Sequence, residues 1–88
     1  MSDSLRRLRE EIDALDAQML ELLSQRASVV LEVQRVKARE SIARVDNPRM
    51  EQILGRLVSL NKGPLTPAEI RDVYGELLAF FAHRLEPR

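Results

Sequence analysis

The sequence predicts an all-α protein of three helices, one long and two shorter. Apolar residues recur at spacings of three and four along most of the chain, which is the period of one helix face. Two short stretches, "RVDNPRM" and "NKGPLTPAEI", combine proline with residues that cap or end helices, and they divide the chain into three segments. With 88 residues and no repeat or linker, we assign residues 1–88 to a single domain.

The long helix is predicted to follow Asp3 or Ser4 as its N-cap and to end at about residue 39 or 40. Its apolar stripe consists of Leu5, Leu8, Ile12, Leu15, Met19, Leu22, Val29, Val33 and Val36. No glycine or proline interrupts this segment. Such a helix would be roughly 50 Å long, more than a compact domain of this size covers, so its length predicts a partner.

The second helix is predicted from about Pro48 to Asn61. Asp46 or Asn47 can cap its N-terminus, and proline suits the first helical position because the missing N–H has no partner there. Gly63 is predicted to end this helix, since glycine readily adopts the backbone conformation that closes a helix.

The third helix is predicted to begin after Thr66 and to run to about Leu85. Thr66 and Glu69 have the spacing of a capping box, and Pro67 occupies the first helical position between them. With no strand pattern elsewhere, these three helices account for the whole chain.

The composition excludes several classes of function. Lys plus Arg and Asp plus Glu are both 14, so no net basic field attracts nucleic acid or an anionic membrane. The chain has no cysteine and one histidine, so we expect no metal site and no cofactor. The first residues resemble neither a signal peptide nor a membrane span, and a cytoplasmic location is the simplest expectation.

Two cations interrupt the apolar stripe of the long helix. Arg26 and Lys37 are eleven residues apart, so they face the same way about 16 Å from each other and could bracket a small anion. Alternatively, Arg26 pairs with a glutamate of a neighbouring helix and Lys37 is solvated near the helix end. Arg49, in the first turn of the second helix, would add positive charge where an anion is already favoured.

Arg9 cannot join Arg26 within one chain. It precedes Arg26 by seventeen residues, which is about 25 Å along the helix and a turn of roughly 100°. An antiparallel helix from a second copy could bring Arg9 of one subunit beside Arg26 of the other, at both ends of a two-fold arrangement.

The segment "LREEIDALDAQMLELLSQRASVVLEVQRVKAR" resembles the first helix of the all-helical chorismate mutases. That family has an L-R-x-x-I-D-x-L-D opening, an arginine in an L-x-x-R segment and a lysine eleven residues later. The resemblance covers nearly the whole chain and implies an intertwined helical homodimer. It also implies the [3,3] rearrangement of chorismate, a dianion, to prephenate in aromatic amino acid biosynthesis.

The resemblance also implies roles for five residues. Arg9 of the second subunit and Arg26 would hold carboxylates of the substrate. Lys37 would approach the ether oxygen, where charge develops as the bond breaks. Arg49 would complete the positive lining, and the region of Asp46 would border the ring hydroxyl.

Three substrate-lining positions depart from the usual family pattern. Met50 stands where a glutamate often follows the second-helix arginine, and Phe81 and Leu85 stand where a serine and then an amide or acid are common. Some short members that lack the third-helix pair are weak alone and are stimulated by complex formation with DAHP synthase. The tail "HRLEPR" resembles theirs, which makes that enzyme a candidate partner.

Two alternatives remain open at this stage. Isochorismate-pyruvate lyases and 4-amino-4-deoxychorismate mutases share the fold and the cation spacing, and they often carry an apolar residue where this chain has Met50. A non-catalytic helical dimerisation module is the other alternative, with the stripe cations paired to Glu21 or Glu32 across the interface.

Overall fold

The computed structural model describes residues 2–88, and within that range it contains helices and no strand. Helix α1 spans Asp3–Arg39, α2 spans Asn47–Leu60 and α3 spans Pro67–Ala79, which a π-helical turn extends over Phe80–Arg84. The prediction of an all-α protein with one long and two shorter helices is confirmed. The chain divides into two compact units, one ending at Val30 and the other spanning Leu31–Arg88.

In the first unit, α1 begins one residue earlier than predicted. The hydroxyl of Ser2 accepts a hydrogen bond from the backbone N–H of Leu5 at 3.1 Å, so Ser2 takes the capping role expected of Asp3 or Ser4. Asp3 lies inside the first turn, where its carboxylate pairs with Arg6 at 2.9 Å and suits the positive end of the helix dipole.

The apolar stripe of the first unit is exposed in the single chain. None of the residues of α1 is buried. Along the stripe, Ile12 and Leu15 are each 56% exposed, and Leu22 is 63% exposed. A row of large apolar side chains in contact with water marks a surface that another apolar surface normally covers.

In the second unit, α1 ends in a Schellman motif. Ser41 adopts the left-handed conformation, with φ of 57°. The N–H of Ile42 bonds to the carbonyl of Lys37 at 2.8 Å, and the N–H of Ser41 bonds to that of Ala38 at 3.4 Å. The last carbonyls of the helix are therefore satisfied without a glycine, although that conformation disfavours serine.

Helix α2 lies one residue earlier than predicted at both ends. Asp46 is the cap, as one of the two expected residues, and Pro48 occupies the second helical position because Asn47 takes the first. The helix ends before Gly63, since the Asn61 side chain accepts from the Gly63 N–H at 2.9 Å and donates to the Leu65 carbonyl at 2.6 Å.

The start of α3 agrees with the sequence pattern. Thr66 and Glu69 form the expected capping box, with Pro67 first in the helix. The α-helical hydrogen bonding ends at Ala79, but the helix continues as a π-helical turn to Arg84, one residue before the predicted end, and the N–H of Leu85 bonds to the carbonyl of Phe80 at 3.0 Å.

The third helix, its π-helical turn and the residue after that turn supply the buried side chains of the second unit. The buried apolar residues of the described chain are Ile70, Leu78, Phe81 and Leu85. Helix α3 packs against α2, and Arg71 of α3 pairs with Glu51 of α2 at 2.8 Å. The core thus fixes the carboxyl end of the chain within this unit.

Candidate active site

Arg9 and Arg26 lie in the first unit, where the structure keeps them apart. Both belong to the continuous helix α1, so their seventeen-residue separation corresponds to about 25 Å of helical rise. Arg9 is exposed and Arg26 is half-buried. One chain therefore cannot place both guanidinium groups on the same small anion.

Lys37 lies in the second unit, in the last turn of α1, and its side chain is half-buried. Its ammonium donates to the backbone carbonyl oxygen of Arg44 at 3.0 Å. The partner is an uncharged dipole, so it does not offset the positive charge of the ammonium. Lys37 therefore has a neutral protein acceptor in the loop that follows α1.

Asp46 and Arg49 lie together at the N-terminus of α2, and both are exposed. The Asp46 carboxylate accepts the backbone N–H of Arg49 at 3.0 Å, so it already occupies the positive end of the helix. The guanidinium of Arg49 donates to the side chain of Gln52 at 2.7 Å. Met50 follows on α2 and is half-buried.

Phe81 and Leu85 are packed in the core of the second unit, where each is 5% exposed. The rings of Phe80 and Phe81 meet edge to face, with centroids 5.4 Å apart. The side chains of Phe81 and Leu85 contribute apolar packing in this conformation, and their role in lining a substrate site stays a prediction.

The second unit contains a cavity beside Lys37, with a volume of about 270 Å³. Its lining residues are Gln34, Arg35, Lys37, Ala38, Ile42, Arg44 and Pro87. Arg44 is a cation of this lining that the sequence analysis did not single out, because nothing in the spacing of the helices points to a loop position. The only signal was a cation in the loop before a capped helix, and loops often carry function.

No cluster of three or more histidine or acidic side chains among residues 2–88 is arranged to hold a metal ion. No helix among these residues is long and apolar enough to cross a membrane.

The fold and the cations define an all-helical protein with a candidate site for a small anion. Residues 8–84 match the family model for chorismate mutase type II. Since that match includes most of the chain, the chain belongs to the chorismate mutase type II family, and the resemblance seen in the sequence is confirmed.

Two curated relatives are bifunctional chorismate mutase/prephenate dehydratases. The chain is 35% identical over 83 residues to the one from Pseudomonas aeruginosa, which covers 88% of this chain and 22% of the relative. It is 36% identical over 85 residues to the one from Stutzerimonas stutzeri, which covers 89% of this chain and 23% of the relative. The chain thus spans less than a quarter of the length of these relatives.

Two solved structures of chorismate mutase from Thermus thermophilus are similar to the chain. Form I has a TM-score of 0.87 at 29% identity, covering 90% of this chain and 99% of that one. Form II has a TM-score of 0.90 at 28% identity, covering 94% of each chain.

Proposed function

We propose that the chain catalyses the [3,3] rearrangement of chorismate to prephenate. The observation that carries this proposal is the chorismate mutase family match, which extends over Arg9, Arg26, Lys37 and Arg49. The two Thermus thermophilus structures support it, since each is a chorismate mutase and each is covered over most of its length.

The proposed reaction suits a site made mainly of cations. It proceeds within one molecule and requires no nucleophile or proton transfer, so the protein has two tasks. It must hold the enolpyruvyl arm over the ring, and it must stabilise the negative charge that grows on the breaking ether oxygen. Arginine suits the first task because its planar fork clamps carboxylates, and lysine suits the second because its charge is compact.

We assign the first task to Arg26 and to Arg9 of the partner subunit, and the second to Lys37. Arg49 adds positive charge at the start of α2, and Asp46 borders the ring hydroxyl. Met50, Phe81 and Leu85 would line the apolar side of the ring. These assignments rest on family resemblance and on two observations. Arg26 is half-buried, and the ammonium of Lys37 donates to the backbone carbonyl of Arg44.

The proposed assembly is an intertwined homodimer with shared sites. Its support is the exposed apolar stripe of the first unit, in which Leu8 is 51% and Met19 is 57% exposed. The same stripe of a second copy could cover this one, which would remove both stripes from water. Because both subunits would then use the same surface, the interface would have two-fold symmetry. An antiparallel pairing would also carry Arg9 of the partner subunit toward Arg26.

The test is an assay of the purified chain for loss of chorismate absorbance, with product analysis. We expect prephenate. Formation of pyruvate plus salicylate from isochorismate would instead favour the isochorismate-pyruvate lyase. Rearrangement of 4-amino-4-deoxychorismate would favour the 4-amino-4-deoxychorismate mutase. Both alternatives are worth testing because Met50 is apolar at a position that touches the ring in the family.

The control is a mock purification from host cells that lack the gene, because it reports any chorismate mutase carried over from the expression host. The assay is repeated with DAHP synthase, the proposed activating partner. Conversion no faster than that of the mock preparation, with and without the synthase, would contradict the proposed activity and favour a non-catalytic dimerisation module.

A further inference from the structure

The loop between α1 and α2 is fastened to the carboxyl end of the chain by one side chain. Arg44 lies in this loop, and its guanidinium donates to the backbone carbonyl of Leu85. The Leu85 side chain is 5% exposed and belongs to the core, so its carbonyl is a fixed point. Gln34 of α1 donates to the same oxygen at 3.1 Å.

The backbone of Arg44 contacts Lys37. The backbone carbonyl oxygen of Arg44 accepts the Lys37 ammonium at 3.0 Å. Arg44 therefore connects the buried core to the ammonium through its own side chain and its own backbone. No helical hydrogen bond fixes this carbonyl directly, because Arg44 lies between the end of α1 at Arg39 and the start of α2 at Asn47.

We infer that Arg44 is a positioning residue for Lys37. Its side chain holds the loop against the Leu85 carbonyl, and its backbone carbonyl thereby orients the ammonium. This inference rests on the proposed function, since it gives Arg44 its importance through the proposed role of Lys37 at the ether oxygen.

The chemistry of the contact supports positioning rather than neutralisation. A lysine ammonium has three N–H donors, and a single carbonyl takes one of them. Two N–H donors of Lys37 stay available for a substrate oxygen, and the neutral carbonyl does not offset the charge of the ammonium. A carboxylate in the place of the carbonyl would have offset that charge and raised the barrier to the reaction.

Arg35 provides a matched control within the same cavity. It is also an arginine, it lines the cavity, and its guanidinium donates to a backbone carbonyl near the end of the chain, that of Arg88 at 3.2 Å. Nothing in its contacts leads to Lys37: its second partner is Glu32, at 2.8 Å. Losing Arg35 therefore removes the same charge and a similar contact without releasing the ammonium.

The kinetic experiment compares Arg44→Met with Arg35→Met, since methionine retains the apolar stem and removes the donors. For Arg44→Met we expect kcat to fall about ten- to a hundredfold, the effect of misplacing a catalytic group by about 1 Å, with KM changed by less than about threefold. Arg35→Met removes a cation from the cavity wall without releasing the ammonium, so it should raise KM and keep kcat within about threefold of the wild type.

A double-mutant cycle then separates positioning from general damage. In the Lys37→Ala background, Arg44→Met should cause little further loss of kcat, because the group that it positions is already absent. An undiminished loss in that background, or an equal loss in Arg35→Met, would overturn the positioning role. Wild-type protein that forms no prephenate would instead overturn the proposed function.

A second measurement uses only the wild-type protein and does not depend on its catalytic activity. The chain has two lysines, Lys37 and Lys62, so ¹⁵N-lysine labelling gives two side-chain ammonium signals. In the wild type we expect the Lys37 ammonium to exchange with water at least about tenfold more slowly than that of exposed Lys62, because the loop carbonyl holds it. Equal exchange rates would overturn the inference even if every kinetic variant were unstable.

Discussion

The ammonium of Lys37 lies 3.0 Å from the carbonyl oxygen of Arg44, held by a neutral acceptor near the end of a helix. A neutral acceptor orients the ammonium without offsetting its charge. In the proposed reaction it meets the oxygen on which negative charge grows. This relationship makes Lys37 the residue for which we expect the largest effect on the chemical step.

Replacing Lys37 by alanine should lower kcat by about a hundred- to a thousandfold, because a preorganised donor at a developing oxyanion is worth roughly 3 to 4 kcal/mol. Lys37→Arg should recover little, since the guanidinium fork places its charge differently. Steady-state kinetics with chorismate provide the measurement. Lys62→Ala is the control, because it removes the other, exposed lysine.

A rise in KM alone, with kcat unchanged in Lys37→Ala, would mean that the lysine only attracts the dianion. The role at the ether oxygen would then be wrong, although the substrate assignment would stand.

The exposed stripe of α1 predicts that the chain is dimeric at micromolar concentration. Leu15→Glu places a charge in the middle of the stripe and should shift sedimentation toward the monomer, with loss of activity. Leu15 is already 56% exposed in the single chain, so the substitution disturbs no contact of its own core.

Ala17→Glu is the matched control for Leu15→Glu, because two residues along a helix turn the position by about 200° to the opposite face. It adds the same charge and should leave the dimer intact. A folded and active monomer of the wild-type chain would contradict both the dimer and the shared site.

The Schellman turn at the end of α1 predicts a stabilising substitution. Ser41 has φ of 57°, a conformation that is strained for serine and easy for glycine. Ser41→Gly should therefore raise the free energy of unfolding by about 0.5 to 1 kcal/mol. Ser24→Gly, in the interior of α1, is the control and should lower it by a few tenths. Denaturant unfolding at fixed protein concentration gives both values.

If Ser41→Gly were as destabilising as Ser24→Gly, the left-handed conformation at this turn would be wrong. The loop that carries Arg44 begins at this turn, so the comparison also tests the path of the chain toward Lys37.

The helices could be predicted from sequence because their signals are local. The capping box of Thr66 and Glu69, the cap at Asp46 and the unbroken period of α1 place most helix ends within one or two residues of their observed positions. Each of these signals depends only on neighbouring residues, so no tertiary contact was needed to interpret it.

The π-helical turn and the role of Arg44 could not be predicted, because each depends on a distant backbone group. The turn widens where buried Leu85 bonds to the Phe80 carbonyl, and Arg44 matters through its bond to the Leu85 carbonyl. A backbone acceptor has no signature in the sequence. The spacing of Arg26 and Lys37 identified the cations, but the partner that holds Lys37 depends on the path of the loop.

The capping box of α3 predicts a dependence of stability on acid pH. The Thr66 backbone N–H, and then its hydroxyl, stabilise the charged Glu69 carboxylate and hold its pKa below the ordinary value. A lowered pKa stabilises the folded chain above the unfolded-state pKa, and this contribution is lost as the pH falls through the folded-state pKa.

Glu69→Gln should therefore lower the free energy of unfolding near neutral pH, where the charged carboxylate contributes, and match the wild type in acid, where that contribution is lost. Thermal unfolding at a series of pH values provides the measurement. The control is Glu76→Gln, a substitution of an exposed glutamate further along the same helix. Identical acid profiles for the wild type and Glu69→Gln would rule out this contribution.

The last prediction concerns the shared site directly. Arg9→Ala and Arg26→Ala should each be nearly inactive, because each leaves one substrate carboxylate without its clamp. After the two inactive proteins are mixed and their subunits exchange, a heterodimer has one site that lacks both arginines and one that keeps both. Half of the dimers should be heterodimers, so about a quarter of all sites, and roughly a quarter of wild-type activity, should return.

Exchange is verified separately by mass spectrometry of isotope-labelled subunits, and the double variant Arg9→Ala/Arg26→Ala mixed with wild type is the control. If exchange is complete and no activity returns, Arg9 and Arg26 do not act on one substrate across the interface.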